Sequence, residues 1–241
     1  MGELIYRIKN NFEFNNNELK EIIISSLIIG SIFALRLWSK ATIGDLILGI
    51  VIALTSIFFH VSFQKIVGLK IGYSTEFKIC WHGLGIAAIL AIISQGWFWW
   101  LIVPGSVVFS IIPKYRLGRF RYGLSYFQTG LIAFSGAIGS IIFGTIFKNI
   151  ELYMSFFQIS SSLLNSFFIF NLAYAAVSLL PIPPLDGHYL FYGSRNWYVI
   201  LASTIIAYAI LTALSFYSWI IAIVIGLFAW VVYYSFFERK V

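Results

Sequence analysis

The chain has 241 residues, 60% hydrophobic and 10% charged, with a formal net charge of +7. Soluble domains carry about 45–50% apolar and about 25% charged residues, so this composition excludes an ordinary soluble globular domain. The positive excess does not indicate nucleic acid, because Lys and Arg of membrane proteins collect in cytoplasmic loops; the one cysteine, Cys80, excludes an internal disulfide.

Apolar stretches close to or above 18 residues recur along most of the sequence, and the lipid bilayer is the first partner they imply. They predict an all-α polytopic membrane protein of about six to seven transmembrane helices, with one broken or re-entrant element and a candidate β-hairpin. Residues 1–18 form a polar segment rich in asparagine (Asn10, Asn11, Asn15, Asn16, Asn17), read as a surface segment or frayed tail. Residues 19–241 are read as a single transmembrane domain, with no polar segment long enough for a second fold. The first span is expected from Glu21 to Trp38, as a retained span rather than a signal peptide. Arg36 can snorkel there and Trp38 suits the interface. The second span runs from Ile43 to Phe63 and carries His60 near its end.

Lys65, Lys70 and Lys78 mark a polar connection. Within it, Tyr73 to Ile79 alternates as a short strand would, next to Gly68 and Gly72. Leu84 to Ile112 is too long for one upright span and is interrupted at Gln95-Gly96 and Pro104-Gly105; it reads as the broken or re-entrant element. Lys114, Arg116, Arg119 and Arg121 make the densest basic cluster, which the positive-inside rule places in the cytoplasm. A span from Phe127 to Phe147 carries Gly136, Ser140 and Gly144 at four-residue spacing, a small-residue face read as ordinary close helix packing. Another, Ser162 to Leu180, returns to the cytoplasmic side. Two last spans, Tyr198 to Leu214 and Ser218 to Phe236, turn near Ser215 and leave Arg239, Lys240 and the C-terminus inside. Seven passes would put the N-terminus outside. Trp97, Trp99, Trp100, Tyr233 and Tyr234 suit interface anchoring.

One stretch organises the rest: Ser178-Leu179-Leu180-Pro181-Ile182-Pro183-Pro184-Leu185-Asp186-Gly187-His188. Three prolines within four positions end any helix, because proline lacks the N–H and fixes φ. A carboxylate just past a broken helix between spans is a candidate functional group, since ionisable residues are costly at membrane depth. A solvated loop carboxylate is the plainer alternative. His60 and Asp186 alone would also admit a transporter, but no inverted repeat supports one.

Two pieces together resemble the site-2 protease family of intramembrane zinc metalloproteases, in its archaeal branch. One is Ser178 to Gly187. The other is His60-Val61-Ser62-Phe63-Gln64, followed by Lys65 to Gly72, Glu76-Phe77-Lys78 and Trp81-His82-Gly83-Leu84. Pro104-Gly105-Ser106-Val107 and Ser135-Gly136-Ala137-Ile138-Gly139-Ser140 take the places of two further family elements. The likeness covers a core of about 43–197. It implies a family helix carrying His-Glu-x-x-His, whose histidines share one face and hold zinc, with a third ligand from the aspartate of Leu-Asp-Gly. The glutamate would be the general base.

This chain departs from that pattern. His60 and Asp186 stand at ligand positions, and His188 is a further candidate for a rebuilt metal site. The base position is Val61, the second histidine position is Gln64, and the asparagine before the prolines is Ser178. The resemblance therefore implies a catalytically inactive homologue, a pseudoprotease with no cofactor expected. It would bind or regulate a membrane client or serve as a subunit of a membrane complex. The alternative is an active metalloprotease with a rebuilt zinc site that cleaves transmembrane substrates. The plainest expectation for His60 is a neutral imidazole hydrogen-bonded to Asp186 or to a backbone carbonyl.

Overall fold

The computed structural model describes residues 2–36, 42–112, 124–156, 162–214 and 216–238. Trp38, the basic cluster Lys114 to Arg121, Ser215, Arg239 and Lys240 lie outside the described residues.

Helices α1 (Gly2–Asn11) and α2 (Asn16–Ala34) open the chain, followed by α3 (Ile43–Ile71) and the strand β1 (Tyr73–Ile79). Helix α3 starts sharply because Thr42 and Asp45 form a reciprocal capping box, satisfying donors that the first turn would otherwise leave bare. It stops at Gly72, whose φ of 95° is open to glycine at no steric cost. Helices α2 and α3 cross closely: a Cβ on Gly30 would stand 2.4 Å from Ile50 Cα.

The expected strand has the bounds read from its alternation. Tyr73, Thr75 and Phe77 point into the protein and Glu76 and Lys78 point out. Its partner is not the other arm of a hairpin. The antiparallel strand β2 (Gly105–Ile111) pairs from Tyr73↔Ile111 to Ile79↔Gly105, and helix α4 (Trp81–Ile93) lies in the connection. Helix α4 leaves the sheet at Cys80 and ends against α2. The chain turns there through Gln95 and Gly96, and a Cβ on Gly96 would stand 1.9 Å from Leu35 O. Residues 97–104 run back to the sheet, where Cys80 N donates to Pro104 O at 3.2 Å. The long apolar run is thus broken into one helix and one return segment ending in a strand.

The remaining elements are α5 (Tyr126–Phe156), α6 (Ser162–Ser178), α7 (Asp186–Gly193), α8 (Arg195–Ala213) and α9 (Trp219–Tyr233), with a π-helical turn at Tyr234–Glu238. Among the described residues, three helical segments are long and apolar enough to cross a membrane: Ile43–Ile71, Tyr126–Phe156 and Trp219–Phe237. Trp81–Ile93 and Ser162–Ser178 are apolar but shorter. The expectation of six to seven spans is not supported by this measure. Part of the reason lies in α2, which begins five residues before the expected first span and so carries Glu18 and Lys20 besides Glu21.

Nor do residues 2–18 form a frayed tail. Arg7 donates to Leu69 O and Lys70 O at 3.1 and 3.0 Å, capping the end of α3. Glu18 is buried and meets Lys65 Nζ at 2.9 Å. Glu18 Oε1 also accepts from Phe77 N, and Glu21 Oε2 accepts from Ile79 N. The edge of β1 that β2 leaves bare is in this way closed by two carboxylates of α2. The N-terminal segment therefore sits at the sheet end of the helices. The main core packs α2, α3 and α6 together through Ile22, Phe33, Ile57, Val61 and Phe170, with Phe77 of β1.

Candidate functional site

Four elements build the site. Helix α3 supplies His60, Val61 and Gln64, with Gln64 four positions from His60 and three from Val61, spacings that share a side of a helix. Helix α5 supplies Ser140 and Gly136. Helix α6 supplies Tyr174 and ends at Ser178. The proline stretch then halts the chain and restarts it as α7, so Asp186 opens a new helix facing back toward α3.

His60 Nε2 lies 2.8 Å from Asp186 Oδ2, and His60 Nδ1 lies 2.8 Å from Ser140 Oγ. The sequence-expected pair is brought together across 126 positions, with His60 2% and Asp186 5% exposed. One tautomer satisfies both bonds: Nε2–H donates to the carboxylate, and Nδ1 accepts the Ser140 hydroxyl proton. Tyr174 stacks on the imidazole, ring centroids 4.4 Å apart and 29° between planes. Gly136 permits this approach, since a Cβ there would stand 2.3 Å from His60 Nε2 and 2.7 Å from Gln64 Nε2.

Gln64 is fully buried. Its Nε2 donates to Ala133 O at 3.2 Å, and its Oε1 has no partner among the described residues. The 3.3 Å separation from Gln64 Nε2 to His60 Nε2 sets donor against donor in the tautomer above. A small cavity of about 10 Å³ is lined by His60, Val61, Gln64, Ser178 and Asp186, with Gly105 to Val107 of β2 over it. That is the size of a single water. Ser178 turns its hydroxyl back to Ala175 O at 3.0 Å. Near the rim, burial pushes the Tyr189 phenol above its ordinary range; a hydrogen bond with Ser106 opposes the shift and the Asp186 charge adds to it. Tyr189 therefore stays protonated and is no base at neutral pH.

The structure does not bring His188 to this site. Asp186 starts a helix, and a residue two positions on projects from roughly the opposite side. His188 instead packs its ring 4.7 Å from Tyr192, with Nδ1 buried and without a partner among the described residues. His82, in the first turn of α4, is exposed.

The small-residue face of α5 is close packing, as expected, and also part of the site. Ser140 holds His60, Gly136 admits it, and Gly144 meets Asn171 of α6. The roles of Tyr174 and Ala133 O were not foreseen. A tyrosine four residues before Ser178 on an apolar helix carries no mark that separates it from an interface tyrosine. The Glu18–Lys65 pair was also missed. The spacing of Glu18 and Glu21 just ahead of an apolar run was its one legible signal.

Over 180 residues the chain is 28% identical to a Methanocaldococcus jannaschii protein named "putative zinc metalloprotease". The alignment covers 73% of this chain and 84% of that protein. The chain is thus a distant homologue of an archaeal protein carrying that name. No protein-family model matches the chain, and no solved structure matches it.

The zinc in the relative's name can be tested against these side chains. Catalytic zinc takes about three protein ligands and leaves one position open. Among the described residues no three His, Cys, Asp or Glu side chains stand close enough to hold one ion. In this structure both ring nitrogens of His60 have hydrogen-bond partners, Ser140 and Asp186. Gln64 offers an amide oxygen, a poor zinc donor. The residues do not fit a catalytic zinc, and Val61 cannot carry a proton.

Proposed function

We propose that this is a catalytically inactive, site-2-protease-like integral membrane protein. Its work is binding: it holds or regulates a membrane-protein client, or serves as a subunit of a membrane complex. The observation that carries this reading is the hydrogen-bonded chain Ser140–His60–Asp186, closed on itself beside Val61 and Gln64. A hydrolytic centre needs a polarised water and a group to take its proton, and removing a general base alone costs on the order of 10²–10⁴ in rate. Here the retained histidine and carboxylate satisfy each other.

The proposed topology is multi-pass in the cell membrane, with α2, α3, α5, α6, α8 and α9 crossing in alternation. The basic cluster Lys114 to Arg121 follows β2 directly, and the positive-inside rule puts it in the cytoplasm. Because α1 docks at the same end of α3 as the sheet, the N-terminus is proposed on that side too, together with the C-terminus. This replaces the seven-pass arrangement with the N-terminus outside.

The relative's name favours the other reading, an active zinc protease, and one experiment separates the two. The purified protein is expected to carry well under one zinc per chain by metal analysis, unchanged in Asp186→Ala. Near one zinc per chain overturns the proposal, as does chelator-sensitive cleavage of a transmembrane substrate that both His60→Ala and Asp186→Ala abolish.

A further inference from the structure

At the opposite end of the helices from the His60 site, Arg36 stands just past α2. It lies beside the first turns of α3 and α6 and lines two cavities at once. One, of about 190 Å³, also has Asp45, Ser162 and Ser166 in its wall, with apolar cover from Phe33 and Leu48. The other, of about 450 Å³, is walled by the turn at Ser94 to Gly96 and by Trp97, Trp99 and Trp100. Trp97 is 73% exposed and Trp100 39%.

The guanidinium is held in place but not used up. Its Nη2 donates to Ser166 Oγ at 2.7 Å, and Ser166 spends its own proton on Ser162 O at 2.8 Å. The serine therefore acts as acceptor and fixes the direction of the fork. The Phe33 ring lies 4.2 Å from the guanidinium carbon. Arginine carries five N–H donors in a plane, and among the described residues one of them has a protein acceptor. A planar fork whose other donors meet no acceptor among the described residues, oriented from behind, matches the geometry of a phosphate.

We infer that Arg36 is the centre of a binding site for the phosphodiester headgroup of a membrane lipid. The surroundings choose that source over a free phosphate ion. Three tryptophans, a residue type that favours the headgroup level of a bilayer, wall the larger cavity, and Phe33, Leu48 and Ile52 give the smaller one an apolar side beside its polar groups. The Asp45 carboxylate, on the wall of the smaller cavity, opposes a compact, multiply charged anion. It accommodates a headgroup that carries one negative charge and its own hydroxyl or ammonium donors.

The test uses the full chain purified in detergent and stripped of lipid. Three probes are added separately: phosphatidylglycerol, a diacylglycerol of the same acyl chains, and inorganic phosphate. Native mass spectrometry counts bound molecules, and thermal melting reads stabilisation. Phosphatidylglycerol is expected to bind and raise the melting temperature, while the other two leave it unchanged. Arg36→Gln should weaken phosphatidylglycerol binding by about tenfold or more, Arg36→Lys should keep part of it, and Leu48→Trp should weaken it by filling the cavity. Lys148→Gln, which removes another cation from α5, should behave as the parent. Equal binding of diacylglycerol, equal stabilisation by inorganic phosphate, or unchanged lipid binding in both Arg36→Gln and Leu48→Trp overturns the assignment. Should Arg36→Gln fail to fold, Leu48→Trp and the probe series decide.

Discussion

Two buried polar clusters sit five residues apart on α3, and they are built in opposite ways. At Lys65 the charge is matched: the ammonium has three protons and three oxygens within reach, Glu18 Oε2, Glu13 O and Thr75 O, at 2.9, 3.0 and 2.9 Å, although the Thr75 hydroxyl beside it is buried without a partner among the described residues. Around His60 the matching is incomplete. His60, Asp186 and Ser140 satisfy one another, but Gln64 Oε1 faces a cavity with no partner. A buried charge pair is costly to assemble and is held only when its remaining hydrogen-bonding capacity is met, as it is at Lys65. The first cluster is a fastener, tying the N-terminal segment and the sheet to α3. The second keeps a loose end, the Gln64 Oε1 that no described residue meets.

The sharpest way to break this contrast is at the fastener. Lys65→Met or Glu18→Leu alone leaves one uncompensated buried charge and should cost about 3–5 kcal/mol. The double variant should lose far less than the sum, because neither charge is then stranded. Thermal or denaturant melting in detergent measures all three. Additive losses would mean that the pair does not act as a unit.

Next in size is the site itself. Asp186→Ala removes the acceptor of His60 Nε2–H in a buried place and should cost about 1–3 kcal/mol. Ser140→Ala takes away one neutral side-chain hydrogen bond and should cost about 0.6 kcal/mol, the average for such bonds inside membrane proteins. The two should couple in a double-mutant cycle, since both act through the same ring. If Asp186→Ala left stability unchanged, the carboxylate would not be the partner that holds His60.

Much of the first cluster was hidden in the sequence and much of the second was open to it. The chain break at Pro181 to Pro184 is local chemistry, so the restart at Asp186 could be read directly, and a strand at Tyr73 to Ile79 followed from plain alternation. His60 and Asp186 could be paired because a resemblance linked the two motifs. What could not be read was partnership across elements. A helix such as α2, polar in its first two turns, looks like a late-starting span until the sheet edge that its carboxylates serve is in view. The same holds for β2. Its residues continue an apolar run, and only pairing with β1 separates a strand from membrane helix there. Length misled as well: α3 runs eight residues past the expected end of its span, which puts His60 well inside the helix rather than near its terminus.

The smallest expected effect separates two partners of one carboxylate. Glu21 meets Lys78 Nζ at 3.4 Å on the surface and accepts from Ile79 N at 2.8 Å on its other oxygen. Lys78 is 48% exposed at its side chain, so solvent and salt already screen its charge, and Lys78→Ala should cost only about 0–1 kcal/mol. Glu21→Ala should cost more, because a strand-edge N–H loses its acceptor as well. Glu21→Gln keeps an oxygen for Ile79 N while deleting the charge, so it should resemble Lys78→Ala rather than Glu21→Ala. If the glutamine variant instead falls as far as the alanine one, then charge rather than hydrogen bonding closes the edge of β1, and the distinction between a saturated fastener and an exposed ion pair fails at this residue.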